Sequence, residues 1–261
     1  MGNFITSIKV NHIFHLENFC IPISENEKKH LIITGKNGSG KTILLNAIVE
    51  HLSKVCNDKT LSFLDYEKHL ESCRTRLQQY KVVGDSQKII SNQDSIELYK
   101  TWIEEVYGKV ELSFHDIYSI PKDFLSQDFI IAYYADERKS LFVEPKNPVK
   151  PDLKMKTDLK HNKVDQFLNF MVDCKVQEAL ARNEGKTEDA DYIRQWFVGF
   201  RNILRQIFDD TTLELDFNYK DYSFLIQTRG KSFKFTELSA GYSAALDIVA
   251  DLILKMQSQN N

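Results

Sequence analysis

The sequence has no excess of basic charge. Its 34 Lys and Arg are outnumbered by 37 Asp and Glu, for a formal net charge of −3. No global positive field advertises nucleic-acid binding, so any such contact has to be local. Cysteine is scarce. Cys20, Cys56, Cys73 and Cys174 lie far apart and form no C-x-x-C, which excludes the paired-cysteine metal and redox motifs and reads as free thiols in a reducing compartment. No apolar run approaches the length of a membrane span, and no signal peptide is expected ahead of the first predicted strand. The expectation is a soluble cytoplasmic protein with no membrane role. The start Met1 to Thr6 formally fits an N-myristoylation motif, but the same residues lead straight into that strand. With 261 residues, 42% hydrophobic and 27% charged, the chain can bury a real core as one large domain or two small ones.

What is present is concentrated in one stretch. The apolar run Leu31-Ile32-Ile33 enters Gly35-Lys36-Asn37-Gly38-Ser39-Gly40-Lys41-Thr42, and the apolar-periodic segment Ile43 to Val49 follows. This is G-x-x-x-x-G-K-[ST] between a predicted strand and a predicted helix over Lys41 to about Leu52, the setting of a phosphate-binding P-loop. A strand that feeds a glycine turn into a helix start aims several backbone N–H groups at one point, with the positive end of the helix dipole behind them. Gly35, Gly38 and Gly40 let the backbone curl around a phosphate. Lys41 is placed to reach the β- and γ-phosphates, and the Thr42 hydroxyl to ligate Mg²⁺, which prefers hard oxygen donors. The implied cofactors are ATP and Mg²⁺.

Ahead of the loop, residues 4–10 and 16–23 read as two strands, with a polar turn over 25–30. The run from Ile5 through Val10-Asn11-His12-Ile13-Phe14-His15, followed by Gly35-Lys-Asn-Gly-Ser-Gly-Lys-Thr42, resembles the ABC-type ATPases of the SMC/RecF group. That group includes the OLD-like and other AAA-family ATPases of bacterial defence and DNA repair. Where it usually has Asn-Phe-Arg near the end of the first strand, this chain departs, so the base-contacting residue is not carried over. The resemblance implies an α/β fold: a P-loop NTPase of ABC type, with a mixed sheet, antiparallel N-terminal strands and a helical lobe.

From Leu61 to Val106 two short amphipathic faces are expected, Tyr66, Leu70, Cys73, Leu77 and Ile96, Tyr99, Trp102, Ile103, Val106, separated by Gly84-Asp85-Ser86. Residues 110–114 and 129–134 read as strands. The second runs into Asp136-Glu137-Arg138. As a Walker B imitation, Asp136 would hold Mg²⁺ and Glu137 would activate water. In the chain order of the ABC group this segment is instead the Q-loop equivalent, the reading preferred here. Residues 144–163 carry three prolines and the lysines Lys146, Lys150, Lys154, Lys156, Lys160 and Lys163. The segment reads as a basic linker, either a solvated loop or a local contact for DNA phosphates. Two amphipathic helices follow, with the face Val164, Phe167, Leu168, Met171, Val172, Val176 and the face Ile193, Trp196, Phe197, Phe200, Leu204, Ile207. Their aromatic stripe reads as core, and Thr187 as an N-cap between them. Short strands are expected over 212–217, 224–228 and 232–235, with a tight turn at Arg229-Gly230-Lys231.

Leu238-Ser239-Ala240-Gly241 resembles the ABC signature at a helix start. The resemblance implies that Ser239 and Gly241 complete the γ-phosphate site of an opposite subunit, so that two chains sandwich two ATP molecules. The expected division is a nucleotide core over 1–140 with a helical insertion at about 61–106, a linker and helical lobe over 141–211, and strands with the signature helix over 212–261. After the signature, the group has a Walker B carboxylate that does not occur before Asn261. Three readings stay open: a fragment, a partner polypeptide carrying that part, or binding without turnover. The implied function is an ATP-binding module that dimerises, as a homodimer or larger oligomer, and in complete form hydrolyses ATP to control a DNA-directed or nuclease partner in phage defence or DNA repair. The alternatives are a non-hydrolysing nucleotide-gated scaffold and a phosphotransferase using Asp136 and Glu137.

Overall fold

Alternating burial makes Ile5–Ile13 (β1) the central strand of the N-terminal unit: Ile8 and Val10 are almost wholly buried while Lys9 between them is exposed. The computed structural model describes residues 2–126, 128–134, 142–151 and 164–257. These fall into two units, Met1–Ile130 and Ile131–Asn261.

In the first unit, β1 pairs antiparallel with Leu16–Pro22 (β2) on one side and Val110–Phe114 (β3) on the other. Helix Lys41–Asn57 (α1) buries Leu44, Ile48, Leu52 and Val55, three or four residues apart, and packs on β3 and on the short helix Ile120–Leu125. Each such aliphatic side chain contributes about 1.5–3 kcal/mol by leaving water. His51 lies on α1 and is also buried, its Nδ1–H donating to the Val106 carbonyl at 3.0 Å. Burial holds this ring below the ordinary histidine pKa. Tyr66–Val83 (α2) and Ser86–Tyr107 (α3) form the expected helical pair over Leu70, Cys73 and Ile96. Gly84, left-handed at φ 75°, ends α2, and the Asp85 carboxylate caps α3 by accepting the Lys88 N–H at 3.2 Å.

The second unit is built on a helical hairpin, Phe167–Asn183 (α4) and Thr187–Phe208 (α5), beside the meander Glu214–Asn218 (β4), Ser223–Thr228 (β5) and Lys231–Lys234 (β6). The aromatic stripe of the two helices is core, as expected: Phe167 and Phe200 are at most 2% exposed, Phe197 is buried and Trp196 packs against them, joined by Phe224 and Phe235 from the chain that follows. Arg229 (φ 47°) and Gly230 (φ 74°) make the two-residue turn between β5 and β6, both left-handed as a turn matched to strand twist requires. Helix Ala240–Gln257 (α6) adds Leu246, Ala250 and Leu254 to this core. It also buries Asp251, which accepts from the Tyr134 hydroxyl at 2.9 Å and from Lys255 Nζ at 2.6 Å.

The fold is therefore α/β, with two separate three-stranded antiparallel sheets among the described residues. The expected mixed sheet is not formed there. Leu31–Thr34 is not a strand, and Leu31 and Ile32 are 41% and 83% exposed. An apolar run becomes a strand only when a neighbour supplies its ladder, and neither described sheet does so. Residues 129–134 are likewise not a strand. Thr187 is the first helical residue rather than the cap. Lys186 takes the cap position, without a side-chain hydrogen bond. Asp136, Glu137 and Arg138 lie outside the described residues, as do Lys154, Lys156, Lys160 and Lys163. Residues 144–151, with exposed Lys146 and Lys150, have no regular structure, as their prolines dictate.

Candidate functional site

The loop Gly35–Thr42 closes on itself before α1 begins. Ser39 N–H donates to the Lys36 carbonyl at 3.2 Å, and the Leu44 N–H to the Gly40 carbonyl at 2.9 Å, the first bond of the helix. Gly38 and Gly40 are left-handed, at φ 79° and 88°. Gly40 is the N-cap of α1 and is buried, while Lys36, Asn37, Gly38 and Thr42 are exposed. A Cβ on Gly35 would lie 2.8 Å from Ser39 Oγ, so any side chain at position 35 would displace the Ser39 hydroxyl.

Lys41 folds back over the loop. Its ammonium donates to the Gly35 and Lys36 carbonyls, each at 2.8 Å, and lies 3.4 Å from Ser39 Oγ. A full positive charge is thus fixed at the mouth of a curled backbone. The N–H groups of the first helical turn have no intrahelical acceptor, and the positive end of the α1 dipole adds to the charge. The arrangement fits an anion with several oxygens. The cation is already seated on the Gly35 and Lys36 carbonyls, and Gly38, with nothing within 4 Å of an added Cβ, leaves room for close approach. Thr42 offers an exposed hydroxyl at the helix start, the donor type Mg²⁺ takes when phosphate and water complete its shell. Among the described residues no group of three or more His, Cys, Asp or Glu is placed to hold a metal by itself.

The structure also places residues beside the loop that the sequence did not assign. The turn between β1 and β2 reaches Gly40: a Cβ there would be 3.3 Å from Leu16 Cδ1 and 3.8 Å from His15 Cε1. Phe14, in that turn, is left-handed at φ 55° and 69% exposed, with its ring edge-on to His15 at 5.0 Å. A left-handed, exposed Phe is strained and uncommon, and only the backbone reveals it.

Ser239 and Gly241 lie in the second unit, exposed at the start of α6. The Ser239 carbonyl accepts the Ser243 N–H at 2.9 Å, which makes Ser239 the residue at which the helix begins. Leu238 before it is extended, and Tyr242 after it stacks on Phe208 at 4.3 Å, fixing the approach angle of the turn. Three of the four cysteines are poorly placed for thiolate chemistry, while Cys20 is exposed. Burial pushes Cys56 and Cys174 up to about 12, and Cys73 is buried. Compared with known proteins, the chain matches no family model, no curated protein and no solved structure.

Proposed function

We propose that this chain is the nucleotide-binding part of a P-loop NTPase of the ABC type, resembling the SMC/RecF group. It binds ATP with Mg²⁺ at Gly35–Thr42 and dimerises on the nucleotide through Ser239 and Gly241. The observation that carries the reading is the Lys41 ammonium held by two loop carbonyls at the start of a 17-residue helix. In this role the loop N–H groups and Lys41 bind and orient the phosphates, and Thr42 contributes one oxygen to the metal. Bound Mg²⁺ supplies charge neutralisation on the phosphates. Ser239 and Gly241, exposed at a helix start, would offer donors to the γ-phosphate of an opposite copy. Hydrolysis needs a water-activating carboxylate, and none of the described residues is assigned that role. In complete form, turnover would control a DNA-directed or nuclease partner in phage defence or DNA repair.

The test is calorimetric titration of Mg·ATP into the chain, with sedimentation velocity for assembly. Lys41→Ala is expected to weaken ATP binding by about tenfold or more. Ser239→Arg is expected to leave ATP affinity intact and abolish ATP-driven dimerisation. Absence of saturable ATP binding to the unchanged chain refutes the phosphate site, and dimerisation that survives Ser239→Arg refutes the signature assignment.

A further inference from the structure

Strand β4 is an edge: it pairs with β5 alone, and among the described residues its backbone makes no hydrogen bond beyond that ladder. An unpaired edge carries a row of N–H and C=O groups spaced to accept another strand. Between β4 and α5 runs a cleft of about 260 Å³. Its apolar lining includes Phe197, Phe217 and Phe224, with the Phe217 and Phe224 rings 4.8 Å apart. Its cationic lining is Lys175 from α4 together with Arg194 and Arg201, seven residues apart and so on one face of α5. Lys175 is paired with Glu178 at 2.9 Å and Arg201 with Glu214 at 2.6 Å. Arg194 is exposed and makes no ion pair among the described residues. Asp216 borders the cleft through its place on β4, but by strand alternation its side chain is on the face opposite Phe217, so Arg194 is the one cleft cation left without a carboxylate among the described residues.

We propose that this groove binds an extended, acidic segment of a partner protein, added to β4 as a further strand. Main-chain hydrogen bonds to the β4 edge would supply affinity, and the groove would read alternate side chains. On the groove face the segment carries an apolar residue over Phe217 and Phe224 and an acidic residue toward Arg194. On the opposite face it carries neutral or basic residues, because Asp216 is exposed there, where its side chain accepts from Gln227. The same charges disfavour one arrangement of a second copy as the occupant. Two β4 strands paired about a two-fold axis through Asp216 would set Asp216 against its own copy, and like charges directly opposite are destabilising. A nucleic-acid strand would satisfy the cations but has no alternating amide donors for the edge.

The proposal is independent of ATP and is tested without it. The probe is a short fluorescein-labelled peptide with leucine and glutamate at alternate positions and threonine and lysine between them, titrated with the full chain by fluorescence anisotropy. Saturable binding is expected. Arg194→Glu, at an exposed residue without an ion pair, should weaken it about tenfold, while Arg194→Lys should stay close to the unchanged chain. N-methylation of the alternate peptide amides that face β4, which removes the peptide's donors to the β4 carbonyls and leaves the protein untouched, should abolish it. No saturable binding to the unchanged chain overturns the proposal. So does binding indifferent to Arg194→Glu or to N-methylation. Displacement of the peptide by oligothymidylate that itself binds more tightly assigns the groove to nucleic acid instead.

Discussion

Substituting Gly40 tests the loop geometry without any nucleotide. Gly40 sits at φ 88°, ψ 5°, as the cap of α1, and is buried. Alanine there costs about 1–2 kcal/mol for the left-handed backbone. Its Cβ would also meet Leu16 Cδ1 at 3.3 Å, closer than ordinary van der Waals contact, so the Leu16 side chain must give by a few tenths of an ångström. The sum is about 2 kcal/mol. Gly38, also left-handed at φ 79°, has nothing within 4 Å of the added Cβ, so Gly38→Ala should cost only the backbone part, about 1 kcal/mol. The assay is urea unfolding followed by tryptophan fluorescence in a Trp196→Phe background, which leaves Trp102 to report on the N-terminal unit. With a denaturant slope of about 2 kcal/mol/M, the Gly40→Ala midpoint should fall by about 1 M and the Gly38→Ala midpoint by roughly half as much. Equal shifts would remove the contact between the β1–β2 turn and the loop. An unchanged Gly40→Ala midpoint would refute the left-handed cap itself.

Two further outcomes are expected. His51 is held below the ordinary histidine value of 6.5, chiefly by burial, so below that pH the unfolded chain takes up a proton that the folded chain does not. Its effect on stability is nil above 6.5, and stability falls as pH drops from there toward the folded-state pKa; His51→Gln should flatten the slope of urea midpoints between about pH 7 and pH 5, and an unaltered slope would assign the titration elsewhere. Asp251→Ala removes one acceptor from Lys255 and from the Tyr134 hydroxyl, which keeps the Ile248 carbonyl at 3.3 Å, at a site 1% exposed, and should cost about 1–3 kcal/mol when unfolding of the second unit is followed through Trp196. A loss under about 1 kcal/mol would mean that water already serves those donors.

Where local physics decides, the sequence was sufficient to read the structure. Tyr66, Leu70, Cys73 and Leu77 mark one face of α2, and Leu70, Cys73 and Leu77 are packed in its hairpin core. Gly84 and Arg229-Gly230 turn the chain because the left-handed region is required there. Leu31-Ile32-Ile33 shows the limit. Composition alone does not distinguish a paired strand from an apolar run without a ladder, because strand formation depends on a neighbour elsewhere in the chain. The loop pattern named Lys41, but its seat on the Gly35 and Lys36 carbonyls depends on the curl of the backbone and is visible only in three dimensions. Likewise the sequence singled out only the apolar face of α5, and it is the tertiary position of β4 that makes its Arg194 and Arg201 line a groove.

The α2–α3 hairpin also bears on the order in which the first unit assembles. β1 must find β3 across a hundred-residue separation, Val10 opposite Val110, an interval that holds β2, the glycine loop, α1 and the hairpin. The hairpin closes through contacts local in sequence, so it can form while β3 is still searching. Once Tyr66 and Tyr107 are brought together near its base, where the Tyr66 ring lies 5.3 Å from that of Trp102, the chain left to close is shorter by roughly forty residues. The saving is only about half a kcal/mol of closure entropy, because that entropy grows with the logarithm of length. The larger effect is temporal. A ribosome releasing this chain delivers the helical pair before the strand that completes the first sheet, so the local contacts of the hairpin can form ahead of the pairing of β1 with β3.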